Sequence, residues 1–239
     1  TLAGYGADVL NVSSKHLPNL LGLVIDTGLG KLSASLDLRQ AGDADRLRAL
    51  VRDCDVFCQS YRPGALARLG LGPEELARLR PGLVYVTLSA FSHAGPWRER
   101  RGFETTTQSV PGMAHEQGLG AAGGEKPQHL PAQVVDHGTG YLAAFGAQVA
   151  LARRAREGGS YLVRVSLAQT GKWVDALGRV DGRRTPDLTL EDVEDLMTDM
   201  DSPYGRLRHV VPAARLSETP AFWSRPTVPL GTHPAAWPA

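Results

Sequence analysis

The sequence predicts an α/β fold: a Rossmann-like, mostly parallel sheet with flanking helices and a short C-terminal lobe. Three observations carry this expectation. Apolar segments of strand length alternate with segments of helical periodicity over residues 7–167, the order that builds a parallel sheet covered on both faces. One segment, GLVYVTLSAF (82–91), is the clearest strand in the chain. Beyond residue 180 the composition turns acidic and then proline-rich, which predicts a large domain over 1–180 and a short lobe with an extended tail over 181–239.

Taken in order, ADVLNV (7–12) is the first strand and follows a glycine-punctuated turn, so the chain opens in mid-pattern and a missing upstream segment is expected. A polar connection leads to KLSASLDL (31–38), which alternates as a second strand. In AGDADRLRALVRDCD, Leu47, Leu50 and Val51 share one helical face. VFCQSY (56–61) is the third strand, followed by the turn RPG and two short helical stretches, ALARLGL and PEELARLR, the second opened by Pro73. After the strand at 82–91, GFETTTQSVPGM reads as helical and the glycine- and proline-containing stretch 118–131 as a surface connection. A long helix begins around Asp136, and YLVRVSL (161–167) closes the pattern as a strand. DLTLEDVEDLMTDMD (187–201), with seven acids and Leu190, Val193 and Leu196 at helical spacing, predicts a short amphipathic helix with a solvated face. The remaining tail predicts an extended strap. In an open α/β sheet, ligands sit beyond the carboxyl ends of the strands, which directs attention to the loops after residues 61 and 91.

Composition narrows the function classes. Lys and Arg number 26 against 25 Asp and Glu, a net charge of +1, so no global field draws the protein to nucleic acid or to an anionic membrane. An anionic ligand must therefore be held by local groups. No run approaches the roughly 18 apolar residues of a membrane span. Cys54 and Cys58 have no second Cys or His cluster at ligand spacing, which predicts buried thiols in a reducing, cytoplasmic setting and no metal site. The seven histidines are scattered, without an HExxH pattern, and LSAFSHAGP is not a G-x-S-x-G nucleophile turn.

Asp136 stands out within VVDHGTG. Its carboxylate falls at the start of a helix whose other end carries Arg153, Arg154 and Arg156. Asp is a favoured N-cap residue, and arginines suit a helix C-terminus. The same placement holds an anionic oxygen in a partly apolar pocket, as a nucleophilic carboxylate requires. Gly138, Thr139 and Gly140 are small and would leave space for a bulky substrate. From the residues alone, both readings stay open.

Several stretches, in order, resemble the family III CoA-transferases of the CaiB/BaiF type: TLAGYGADVLNV, GKLSASLDLR, the long run from YRPGALARLGLG through RRGFETTTQ, VVDHGTGYLAAFGAQVALARR and VRVSLAQTGKW. The resemblance covers residues 1 to about 175, and LSETPAFWSRPTVPLGTHPAAW is similar to the family's closing segment. It implies an acyl-CoA:carboxylate CoA-transferase in which Asp136 attacks a thioester, passing through an aspartyl anhydride and an aspartyl-CoA thioester. It further implies that coenzyme A is a substrate rather than a tightly bound cofactor, with acyl-CoA and an acceptor carboxylic acid as partners. Ser60, Tyr61 and Arg62, which stand where relatives read NFRPG, and Arg68 behind them would line the CoA site. Arg101, Phe103 and Glu104 match the segment beside the catalytic Asp. Relatives are interlocked homodimers, so the resemblance implies a homodimer or a partner subunit. A first strand and helix that relatives place ahead of TLAGYGADV are expected to be missing. Two alternatives remain: a racemase of the same fold, which would need a proton-transferring His where Phe103 stands, and a catalytically incomplete binding subunit.

Overall fold

A computed structural model describes residues 1–120, 126–179 and 186–238. In chain order its elements are β1 (Val9–Ser13), α1 (Leu21–Thr27), β2 (Lys31–Ser35), α2 (Ala41–Arg52), β3 (Val56–Gln59), α3 (Pro73–Leu79), β4 (Val84–Ser89), α4 (Glu104–Ser109), α5 (Met113–Gly120), α6 (Val134–Glu157), β5 (Tyr161–Ser166), α7 (Leu167–Ala176), β6 (Met197–Ser202) and β7 (Gly205–Val210). The alternating strand–helix order expected from the sequence is present. Part of the expected surface connection, residues 121–125, and the composition boundary near residue 180 lie outside the described residues.

Packing groups the chain into two compact units, Thr1–Arg52 with Asp187–Ala239, and Asp53–Pro186. The C-terminal segment is thus grouped with the first 52 residues, whereas composition alone suggested a lobe of its own. The reason lies in the strap. Phe222 N–H donates to Gly4 O (2.9 Å), Gly30 N–H to Arg225 O (2.8 Å) and the Trp237 indole N–H to Leu50 O (3.0 Å). Around Ser33, His233 N–H donates to the carbonyl (2.7 Å), Ser33 N–H donates to His233 Nδ1 (3.0 Å), and Gly231 N–H donates to Ser33 Oγ (3.1 Å). The backbone of β2, already paired in parallel with β1, thereby gains further partners from the chain's far end.

In the same unit, the expected acidic helix over 187–201 is instead a short 3-10 turn at Glu194–Leu196 running into β6. The turn between Ser202 and Gly205 lets β7 pair back antiparallel, so Asp199 meets Arg206 (2.7 Å) and Glu194 meets Arg208. Two of the acids that looked like one solvated helical face therefore meet arginines of β7. The stretch taken as a polar connection contains α1, whose residues are none of them buried. Without a core-facing stripe it left no periodic signal.

In the unit Asp53–Pro186, β3, β4 and β5 form a parallel sheet with β4 in the middle. Leu83, Val84 and Val86 are fully buried, as in a strand covered on both faces. Helix α6 packs on this sheet so closely that a Cβ at Gly146 would lie 2.7 Å from Val163 Cγ1. Cys54 is buried, but Cys58, expected to be buried as well, is exposed. Among the described residues no helix is long and apolar enough to cross a membrane.

Candidate active site

Helix α6 runs back to the start of β5, so its first turn lies at the carboxyl-terminal edge of the β3–β4–β5 sheet, together with the exits of β3 and β4. That edge is where α/β sheets bind ligands. The N-cap of α6 is Gln133, whose side chain makes no capping hydrogen bond. Asp136 sits inside the first turn, three residues on, so of the two roles the sequence left open the simple N-cap is not the one the chain builds.

The group that serves the helix end comes from α4. Glu104, only 3% exposed, accepts the Val135 backbone N–H at 3.3 Å and the Gln108 Nε2–H at 2.6 Å on the same oxygen. Gln108 is itself buried and accepts Leu130 N–H at 2.8 Å, which ties down the segment entering α6. A buried carboxylate is tolerated here because the Val135 N–H, the Gln108 amide and the positive end of the helix dipole face it. Its charge acts on its neighbour. The Asp136 carboxyl is raised above its ordinary pKa, first because surrounding protein removes water from it, then because Glu104 is close; His137 offsets part of this. A raised pKa makes the ionised oxygen a stronger nucleophile.

On the far side of Asp136, Thr139 is fully buried, and its hydroxyl shares a 2.7 Å hydrogen bond with Thr170 of α7. A Cβ at Gly138 would meet Thr170 Cγ2 at 3.1 Å, whereas one at Gly140 would meet nothing within 4 Å. Of the three small residues expected to leave room, Gly138 and Thr139 are committed to packing against α7. Gly140 alone faces open space.

The exits of β3 and β4 are joined by side chains. Gln59 Oε1 accepts Tyr61 N–H (2.8 Å), Gln59 Nε2–H donates to Thr87 Oγ1 (2.5 Å), and His93 lies between Thr87 Oγ1 (3.3 Å from Nε2) and Ser89 Oγ (3.5 Å from Nδ1). The loop beyond β4 contains Ser92 at φ 83°, the one non-glycine residue with positive φ among those described. Such a conformation is disfavoured for a residue with a side chain and is held only by its surroundings.

The sequence profile described as CoA-transferase family III matches residues 1–177. The chain belongs to that family. An acetyl-coenzyme A transferase of Hypoxylon pulicicidum is 33% identical over 193 residues, which is 79% of this chain and 32% of that protein. The alpha-methylacyl-CoA racemase of Homo sapiens is 32% identical over 168 residues, 70% of this chain and 43% of that protein. A crystal structure of a mutant Mycobacterium tuberculosis protein superposes with a TM-score of 0.83 at 20% identity, covering all of this chain and 92% of that one, and shows the shared fold. The chain spans about a third of the length of the curated relatives it matches.

The structure distributes the residues expected at a family III site as follows. Ser60, Tyr61 and Arg62 are exposed at the exit of β3, and Arg68 is exposed in the 3-10 turn Ala67–Leu69 behind them. Arg101 is exposed, and Phe103, 80% exposed, is the N-cap of α4. Only Glu104 is brought against the turn that bears Asp136. Gln59, Thr87, Ser89 and His93 were not anticipated. A polar residue near the end of each of two otherwise apolar strands was the available signal for them.

Proposed function

We propose that this chain carries the nucleophile of an acyl-CoA:carboxylate CoA-transferase. The observation that supports this best is Asp136 itself: a carboxylate in the first turn of a 24-residue helix, raised in pKa, beside a buried second carboxylate, at the carboxyl edge of a parallel sheet. In the proposed cycle, an Asp136 oxygen attacks the thioester carbonyl. The C–S bond breaks, CoA leaves as thiolate, and an acyl-aspartyl anhydride forms. The thiolate attacks Cγ of Asp136 and expels the donor acid as its carboxylate, leaving an aspartyl-CoA thioester. The acceptor carboxylate then attacks Cγ, and the returning thiolate takes the acceptor acyl group and frees Asp136. No proton is gained or lost over the cycle, so the site needs a nucleophile and anion binding but no general acid.

Coenzyme A serves as substrate in this scheme. Ser60, Tyr61, Arg62, Arg68 and Arg101 are its candidate contacts, with arginine suited to the nucleotide phosphates. Racemisation is the less supported activity despite the human relative, because it needs proton-transfer groups on both faces of a carbon and Phe103 offers no exchangeable proton. We further propose a homodimer working in the cytoplasm, on the strength of an exposed apolar stripe on α6 and of the family resemblance.

Substitution of Asp136 by Asn tests the reading. Asp136→Asn should reduce CoA transfer by at least about a thousandfold while the thermal midpoint stays the same or rises. Mass spectrometry of the unsubstituted protein mixed with acetyl-CoA should find an adduct on the peptide containing Asp136, and hydroxylamine should convert it to a hydroxamate. Transfer undiminished in Asp136→Asn would leave the carboxylate a structural group and favour a binding subunit.

A further inference from the structure

The geometry points to His93 as a positioning residue for coenzyme A binding: through Thr87 and Gln59 it holds the backbone of Tyr61, and with it Arg62, in place at the exit of β3. This rests on the CoA-transferase reading above. The argument begins with the amide of Gln59. Tyr61 N–H can only donate, so the Gln59 atom that meets it at 2.8 Å is oxygen, and Nε2 is left to face Thr87 at 2.5 Å. Thr87 Oγ1 accepts that bond, which frees its own proton for His93 Nε2 at 3.3 Å. The tautomer that accepts this proton carries its own on Nδ1, which faces Ser89 Oγ, 3.5 Å away. With the imidazole neutral in this tautomer, every donor meets one acceptor in a single direction, from Tyr61 N–H to Ser89.

Two further features agree with a neutral ring held in place. His93 is pushed below its ordinary pKa, first by burial and then by the positive charge of Arg164 on the adjacent strand β5. Thr87 and Ser89 are both buried, so their hydroxyls must find partners within the protein. The positive φ of Ser92 aims the loop so that His93 turns back onto β4 instead of following the chain outward. Gln59 and Thr87 are also registered across the sheet, and Thr87 with Arg164, so one polar row crosses all three strands at their carboxyl ends. The row links the turn proposed to bind CoA to the loop beyond β4, and nothing in the acyl-transfer chemistry itself requires it.

The test is acetyl-CoA affinity by isothermal titration calorimetry, on variants whose circular-dichroism melts show them folded. His93→Ala should weaken binding about tenfold, the effect of one lost neutral hydrogen bond. His93→Gln, whose amide reaches the position of Nε2, should restore most of it. In a double-mutant cycle, the variant carrying both Gln59→Ala and His93→Ala should bind no more weakly than Gln59→Ala alone, because both act on one relay. Binding within twofold of the unsubstituted protein in His93→Ala, or additive losses in the cycle, would overturn the role of His93 while leaving the CoA-transferase reading in place. Failure of the unsubstituted protein to bind acetyl-CoA would overturn both.

Discussion

Asp136 titrates in the field of a second carboxylate, and that coupling is open to a direct experiment. Glu104 is buried and holds the α6 terminus through Val135 N–H, and Gln in its place keeps an oxygen for that bond while removing the charge. Glu104→Gln should therefore lower the Asp136 pKa toward the ordinary value of about 3.9. The acid limb of kcat/KM for CoA transfer should move to lower pH, with a lower plateau because the less basic oxygen is the weaker nucleophile. The stability sign is the opposite of an ordinary ion-paired Asp. The folded state keeps the Asp136 proton to higher pH than the unfolded chain, so this contribution is fully present below about pH 3.9 and is lost as pH rises through the raised folded value. Asp136→Asn removes that loss, which is why its melting midpoint should not fall. An acid limb that stays put in Glu104→Gln would show that Glu104 acts on Asp136 only through packing. Of this arrangement the sequence displayed the carboxylate and the resemblance added Glu104 nearby. The 31-residue reach from Glu104 to the α6 terminus was invisible, because a hydrogen bond across that separation leaves no local pattern.

At the scale of elements, the legible parts were those with a periodic apolar face against the core. Strand β4 and helix α2 announced themselves in this way, through Val84 and Val86 on one and Leu47, Leu50 and Val51 on the other. Helix α1 buries nothing, and β6 gains its identity from a turn and from Arg206 and Arg208 across the hairpin, so neither had a face to announce. Helix α6 shows how far close packing goes beyond such patterns. Two of its three glycines, Gly140 and Gly146, read alike in sequence and should respond oppositely to alanine. Gly140→Ala meets open space and should stabilise by up to about 1 kcal/mol, the difference in helix propensity. Gly146→Ala places a methyl 2.7 Å from Val163 on β5, and the displacement it forces should cost about 1–3 kcal/mol, outweighing the propensity gain. Urea unfolding of the two variants checks this. A stabilising Gly146→Ala would mean that β5 shifts easily away from α6.

For the whole molecule, the question is what covers the outer face of α6. Tyr141, Phe145 and Val149 recur every four residues and are 54%, 64% and 41% exposed, an apolar stripe on one side of the helix. Trp173 on α7, Leu177 just beyond its end and Leu162 on β5 are also exposed. Three side chains of this size supply only a few hundred Å², against about 800 Å² per partner in a standard interface, so the stripe must be one part of a larger contact. A net charge of +1 puts little electrostatic repulsion in the way of self-association. If the homodimer proposed above uses this face, Phe145→Asp should weaken it by the cost of burying a phenyl ring, about 1.5–3 kcal/mol, plus the penalty for desolvating a carboxylate. In light scattering at micromolar concentration, the unsubstituted protein should have twice the chain mass or more. Phe145→Asp should shift toward the single-chain mass with an unchanged far-ultraviolet circular-dichroism spectrum. A folded single-chain species for the unsubstituted protein would sink the dimer, and an undisturbed dimer in Phe145→Asp would place its interface elsewhere than on α6.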